Sequence, residues 1–240
     1  MRILTDLHCH TLASDHAFST VMENVKYASE IGLEAIAITD HCPALGDAPH
    51  IYHFDCLKLL PRELYGVRIL TGCEANILDL KGNLDMTHDQ LKKLDIVIAS
   101  VHSAPVYRDF GAEDNTSAYM GVLENPYVDI IGHSGNPKCR YDIDTVLRRA
   151  KELDKFIEIN GNTFEVRPQN VELCREIALK AKEIGTGIVV NSDAHFATSI
   201  GGFDKAVAML EDIDFPEELI VNRSLATLEA AIASRKKFRA

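Results

Sequence analysis

The sequence predicts an α/β fold: a single domain over residues 1–240, built as a distorted (β/α)7 barrel of the TIM-barrel type. Three observations lead there. Seven short, near-continuous apolar runs alternate with helical patterns, as expected of a parallel sheet buried on both faces. After six of these runs comes a His, Glu or Asp. An open sheet gathers its functional groups mainly at one switch point, whereas a closed ring brings every strand end to one rim, so the recurrence favours the barrel. The 240 residues also match the roughly 200–250 that α/β barrels use as one unit.

The first strand is Ile3-Leu4-Thr5, followed by Asp6-Leu7-His8-Cys9-His10. In extended chain His8 and His10 share a face and Cys9 takes the other, a poor packing surface and a good metal pincer. Thr20 and Glu23 form a capping box for a helix that Gly32 ends. The second strand, Ala35 to Thr39, runs into Asp40-His41, and an irregular stretch from Cys42 to Tyr65 follows. The third strand, Val67 to Cys73, leads to Glu74, then to a small hairpin through Gly82-Asn83 and a helix opened by Thr87 and Gln90. Strand four, Asp95 to Ser100, precedes His102, and a modest helix spans Thr116 to Glu124. Strand five, Val128 to Gly132, precedes His133; a helix through Ile143, Val146, Leu147 and Ala150 leads to strand six, Phe156 to Asn160. The helix from Val171 to Ile184 closes at Gly185, and strand seven, Ile188 to Asn191, precedes Ser192-Asp193-Ala194-His195. Phe203 to Leu210 and Leu225 to Ala233 are the last helices, with Leu219-Ile220-Val221 between them as a short final strand.

The formal charge is −11 and no Lys/Arg stripe is visible, which argues mildly against a nucleic-acid backbone binder. It does not exclude an anionic substrate, because bound cations would reverse the local field. No apolar run is long enough to span a membrane and no signal-peptide core is present, so a cytoplasmic protein is expected. The six cysteines lack a CxxC and a disulfide-like spacing, and read as reduced, small core residues.

The candidate metal-binding residues are His8, His10, His16, His41, Glu74, His102, His133, Asp193 and His195. Zn²⁺ accepts imidazole and carboxylate at about 2.0–2.2 Å. Nine donors are too many for one ion and suit two or three, with a carboxylate such as Glu74 able to bridge. His50 and His53 fall in a loop and could line the mouth of the pocket, while His88 reads as a surface residue. Asp6 and Asp40 are candidates to orient imidazoles, and equally strand-end or turn carboxylates. Arg108, Lys138, Arg140 and Arg167 lie in post-strand loops, either to grip a phosphate or as exposed, solubilising charges.

His8-x-His10, His16, Thr39-Asp40-His41, Gly72-x-Glu74, Ser100-x-His102, Gly132-His133 and Ser192-Asp193-Ala194-His195 together resemble the PHP (polymerase and histidinol phosphatase) family, especially its stand-alone YcdX-like phosphatases. The resemblance implies a distorted seven-stranded barrel with three metal ions, usually zinc, with manganese or iron as alternatives. The first ion would be held by His8, His10, Glu74 and Asp193, the second by Glu74, His102 and His133, and the third by His16, His41 and His195. It implies a hydrolase in which a metal-bound hydroxide attacks a phosphate monoester, with Glu74 and Asp193 as catalytic residues and a small phosphorylated metabolite as substrate. Two other readings share the motifs: a phosphodiesterase or 3′–5′ exonuclease, and a non-catalytic metal-binding accessory domain. The loops at 43–65 and 103–115 are expected to set selectivity.

Overall fold

The computed structural model describes residues 1–102 and 106–236, so part of the second selectivity loop, residues 103–105, lies outside the described residues. The chain runs β1 (Thr5–Cys9), α1 (Val21–Glu30), β2 (Ala35–Ile38), α2 (Tyr52–Cys56), β3 (Glu63–Leu64), β4 (Val67–Asn76), α3 (His88–Leu91), β5 (Ile96–Ser100), α4 (Ala112–Glu124), β6 (Ile130–Ile131), α5 (Ile143–Glu152), β7 (Phe156–Asn160), α6 (Thr163–Val166), α7 (Val171–Ile184), β8 (Ile188–Asn191), α8 (Asp204–Asp212) and α9 (Leu225–Lys236). Seven strands pair in parallel in the order β1-β2-β4-β5-β6-β7-β8, and the two-residue β3 adds antiparallel to the start of β4. The expected barrel is therefore present, with β3 as an addition that its two residues could not announce.

Local chemistry explains the helix limits. Thr20 and Glu23 make the reciprocal capping box at α1, and Thr87 and Gln90 do so at α3. Gly185, at φ 79°, supplies the left-handed residue that closes α7. The hairpin after β4 is reduced to one antiparallel bridge between Ile77 and Leu84.

Alternate strand residues divide between two cores. Val97, Ala99, Ile131, Ile157, Ile159 and Val190 pack outward under the helices. Leu7, Ala37, Leu70, Ile96, Ile98, Ile130, Phe156 and Val189 fill the ring, and Leu228 of α9 closes its floor. The inward positions farther along the strands carry Glu74, Asn76, Glu158, Asn160 and Asn191, all buried. Polarity thus rises along the barrel axis toward the C-terminal rim, where barrel sites form.

Two departures from simple alternation shape that rim. β1 begins at Thr5 and runs to Cys9, later than the pattern suggested, and a bulge sets two of its residues, Leu7 and His8, against Ala37 of β2, between Asp6↔Ile36 and Cys9↔Ile38. The extra residue lets Leu7 pack in the inner core while His8 also faces the centre. β4 extends to Asn76, so Glu74 projects from within a strand rather than from its end.

The ring closes without a ladder. At the seam between β1 and β8 the Asn222 amide donates to Thr5 O (2.9 Å) and Val190 O (2.7 Å), while its carbonyl accepts from Val190 N–H (2.9 Å). Asn191 Oδ1 accepts from Leu7 N–H at 3.0 Å. Above them His10 N–H donates to Ala194 O at 2.8 Å and Ala194 N–H donates to His8 O at 3.2 Å. The expected final strand at Leu219–Val221 survives only as one parallel bridge, Ile188 to Ile220. The wedge at 220–223 takes the place an eighth strand would occupy.

This seam makes a stability prediction. Asn222→Ala strips partners from two buried carbonyls and one buried N–H, at about 1 kcal/mol or more each. Urea unfolding should show a loss of about 3 kcal/mol; a loss under about 1 kcal/mol would mean that other contacts hold the seam.

Candidate metal centre

All nine residues expected to bind metal meet at the C-terminal rim. Glu74 is their hub. Its Oε2 lies 2.8 Å from His41 Nδ1, 3.4 Å from His8 Nε2 and 3.7 Å from His10 Nε2. Its Oε1 lies 2.8 Å from His133 Nε2 and 3.4 Å from His102 Nε2. Asp193 Oδ1 stands 3.2 Å from His10 Nε2 and 3.5 Å from His8 Nε2. His16 and His41 bring their Nε2 atoms to 3.4 Å, and the His195 ring stacks on His10 and His16 at 4.3 and 4.5 Å between centroids. Among the described residues, four sets of donors close enough to share an ion arise: His8-His10-Asp193, His10-His41-His195, His16-His41-Asp47 and His41-Glu74-His102.

The second nitrogen of several rings is anchored. His8 Nδ1 meets Glu158 Oε1 at 2.8 Å, His102 Nδ1 meets Asn76 Oδ1 at 2.7 Å, and His195 Nδ1 meets the Asp193 carbonyl at 2.9 Å. His16 Nδ1 is held by the Asp47 carboxylate, and His10 Nδ1 has Ser14 Oγ at 3.5 Å. With Nδ1 bound as a donor, Nε2 keeps a lone pair aimed inward, the tautomer that ligation needs.

Those inward atoms lack hydrogen bonds, although His41 Nδ1 and Glu74 Oε2 stand 2.8 Å apart. His8 Nε2, His10 Nε2, His41 Nδ1, His195 Nε2 and Glu74 Oε2 are buried with no hydrogen bond. One orphan of this kind costs about 1–3 kcal/mol, and five converging on one spot are not a packing accident. Cations fit such a donor set.

The electrostatics agree. Burial pushes the Glu74 carboxyl up, but the imidazoles of His102, His8 and His41 outweigh it and hold it well below the usual range. Asp193 is likewise raised by burial and carried well below by His8 and His10. Burial holds His10 down to about 3, against the pull of Asp193, so this ring is neutral at physiological pH. His8, opposed by burial, is raised well above its ordinary value by Glu158, Glu74 and Asp193. Three buried carboxylates thus draw a proton onto the ring between them, where a metal ion would serve better. Two donors also sit on unusual backbone, His133 at φ 22° and Asp193 at φ 55°. Gly132 lets the chain reach His133: a Cβ there would lie 2.3 Å from Ser100 Oγ.

The supporting residues depart from expectation. Asp6 touches no imidazole ring; it accepts backbone N–H groups from His8, Ser192 and Gly201 and so ties β1 to the loop after β8. Asp40 reaches His10 only through Ser14, and also binds Thr11 and His53. Glu158, Asn76 and Asp47, which do hold rings, went unrecognised. Glu158 had a signal, a charge alternating with Phe156 inside an apolar strand; Asp47 had none. Of the four basic candidates, Arg167 approaches the centre, 3.9 Å from Asp193 Oδ2. Arg140 lines a surface recess with Asp142 and Lys180, and Arg108 and Lys138 are exposed. His53 is bonded to Asp40, and His50 and His88 pack on Tyr52 and Tyr127.

The chain is similar to known proteins. The PHP domain model matches residues 6–169, a span that stops short of Asp193 and His195. A probable phosphatase of Caldanaerobacter subterraneus subsp. tengcongensis is 48% identical over 238 residues, covering 99% of this chain and 94% of its own. A Lactococcus lactis histidinol phosphate phosphatase, solved with zinc, L-histidinol and phosphate, superposes at a TM-score of 0.61 with 17% identity, over 88% of this chain and 94% of its own. A chain of an archaeal ribonuclease P complex with mature tRNA superposes at 0.60 with 16% identity, over 97% and 91%. At these identities the two structures speak for the fold alone. None of the described helices is long and apolar enough to cross a membrane.

Glu158→Gln tests the anchoring of the rings. The amide keeps the shape but removes the charge behind His8, so zinc affinity, measured by competition with a chromophoric chelator, should fall roughly 10–100-fold. Unchanged affinity would make Glu158 a packing residue.

Proposed function

The chain belongs to the PHP family, and on that premise we propose that it is a metal-dependent phosphatase that hydrolyses a small phosphate monoester at a three-ion, zinc-type centre. The observation that carries this reading is the division of Glu74: Oε2 faces His8, His10 and His41, and Oε1 faces His102 and His133. A carboxylate so divided is suited to bridge two cations. The first would rest on His8, His10, Glu74 and Asp193, the second on Glu74, His102 and His133, and the third on His16, His41 and His195. His41 lies between the first and third sets. Imidazole and carboxylate donors suit zinc, with manganese and iron accepting the same set. The Lactococcus structure of the same fold was solved with zinc, and the probable phosphatase at 48% identity supports the reaction class.

Bound divalent ions would supply Lewis acidity, lowering the pKa of water toward about 7 and neutralising phosphoryl oxygens. The protein's own groups do the rest. The buried floor of the barrel excludes water from below. Asp193 directs Oδ1 at the histidines and Oδ2 at Asn160 and Arg167; kept ionised, it is placed to take the proton that the attacking water gives up, and that proton then passes to the departing alkoxide as the P–O bond breaks. Arg167, half-buried beside that oxygen, is placed to hold a phosphoryl oxygen with a charged, forked donor. The acidic surface, at −11, gives a polynucleotide backbone little to bind and favours a small substrate.

Metal-reconstituted protein assayed with p-nitrophenyl phosphate and its bis-ester decides the class. Faster monoester turnover is expected; preference for the bis-ester would establish the diesterase reading. No turnover of either, or of a panel of natural phosphate esters, would leave a metal-binding accessory domain. Glu74→Gln should cost more than the roughly 10–100-fold typical of outer-shell losses, because the bridge itself is gone. Near-normal turnover would rule the bridge out. Arg167→Ala should raise KM for the monoester by about tenfold while metal content stays unchanged, whereas an unaltered KM would remove Arg167 from phosphate binding.

A further inference from the structure

The donor groups are unequally covered. The His8, His10 and Glu74 side chains are wholly buried and Asp193 is 2% exposed, whereas His16 is 52% exposed. His16 hangs from the loop after β1 with solvent on one side. The His195 and His41 rings stack on it at 4.5 and 5.0 Å between centroids, which sets its plane but not which of its two similar-looking nitrogens faces His41. The group that decides this is Asp47, from the loop after β2, whose Oδ2 binds His16 Nδ1. Its other oxygen, Oδ1, is buried and without a partner. The two loops are also joined by Asp15 N–H to Asp47 O at 2.9 Å, and the second is tied down by Ala44 N–H to Asp85 Oδ2 at 2.9 Å. Asp47 is therefore held in place by backbone independently of its side chain.

We propose that Asp47 is the positioning residue of the third, outer metal site: it fixes His16 as an Nε2 donor beside His41 and so sets how tightly and how long the third ion is held. The inference rests on the three-ion reading and adds to it a residue outside the nine. The same relation, an acceptor behind Nδ1 and a free Nε2 in front, recurs at His8 with Glu158 and at His102 with Asn76. There burial of the ring does part of the work. At His16 the carboxylate does nearly all of it, so removing it should have a local and selective effect. The outer ion becomes the exchangeable one, and the inner pair, walled by buried side chains, the persistent one.

Elemental analysis and chelator competition on the intact chain test this. Wild-type protein should bind about three zinc equivalents, with one released to the chelator first. Asp47→Ala should retain the inner two with wild-type affinity and bind the outer one roughly 10–100-fold more weakly. Asp47→Asn, which keeps an acceptor without the charge, should fall between. Glu158→Gln should show the opposite pattern, weakening an inner ion and sparing the outer. Wild-type affinity for all three ions in Asp47→Ala would overturn the proposal, as would equal weakening of all three. Wild-type protein that never holds a third ion would instead overturn the three-ion reading beneath it.

Discussion

The constraint on which the molecule turns is the burial of negative charge. Glu74, Glu158 and Asp193 are almost completely removed from water and converge on His8. Like charges about 4 Å apart repel by about 4 kcal/mol even at an effective dielectric near 20. Imidazoles offset part of this, as the lowered carboxyl pKa values record. Yet a ring that takes a proton to balance a carboxylate gives up the lone pair it would offer to a metal. Protons and cations thus compete for the same nitrogens, and folding to this arrangement is favoured wherever divalent ions are available to win.

The barrel is the scaffold that lets so much charge converge. Donors separated by almost the whole length of the chain, from His8 to His195, need strands whose ends share one rim. Seven parallel strands give a tighter ring than eight, and the cost falls at the seam. There β1 and β8 meet without a ladder, and the amides of Asn191 and Asn222 substitute for backbone partners. Asn is the natural side chain for this, since its donor and acceptor reproduce the peptide group. The seam also lies directly under His8, His10 and Asp193, so closure and the site share residues: the backbone bonds of Ala194 to His8 and His10 belong to both.

Much of this was legible in the chain. Every donor but His16, which hangs from a loop, ends or closely follows an apolar run, and the strand ends bring them to one rim. The capping pairs Thr20–Glu23 and Thr87–Gln90 marked helix starts correctly. What stayed hidden has physical causes. The β1 bulge is one extra residue, invisible to a period-two pattern. The Asn222 wedge looked like a strand because Ile220 and Val221 are apolar, whereas the polar residue beside them carries the bonds. At Asp6 two roles stayed open, because proximity in sequence does not say whether a carboxylate meets a ring or a backbone N–H, and the fold gives it the backbone. Asp47 left no trace at all: its partner lies 31 residues away, and only the fold brings the two loops together.

The two nitrogens of each imidazole link these levels. At the inner positions the acceptor behind Nδ1 is itself a barrel residue, Glu158 of β7 or Asn76 of β4, facing inward by strand alternation. The sheet that makes the ring therefore also chooses the tautomer, and the inner donors are as rigid as the strands. Loop residues take over the same duty at the half-exposed His16, through Asp47, and at the buried His10, through Ser14. A site graded in this way can hold part of its cation charge as structure while keeping the solvent-facing part adjustable. A barrel that carried all its donors on strands could not make that separation. One that carried them all on loops could not keep three buried carboxylates in register.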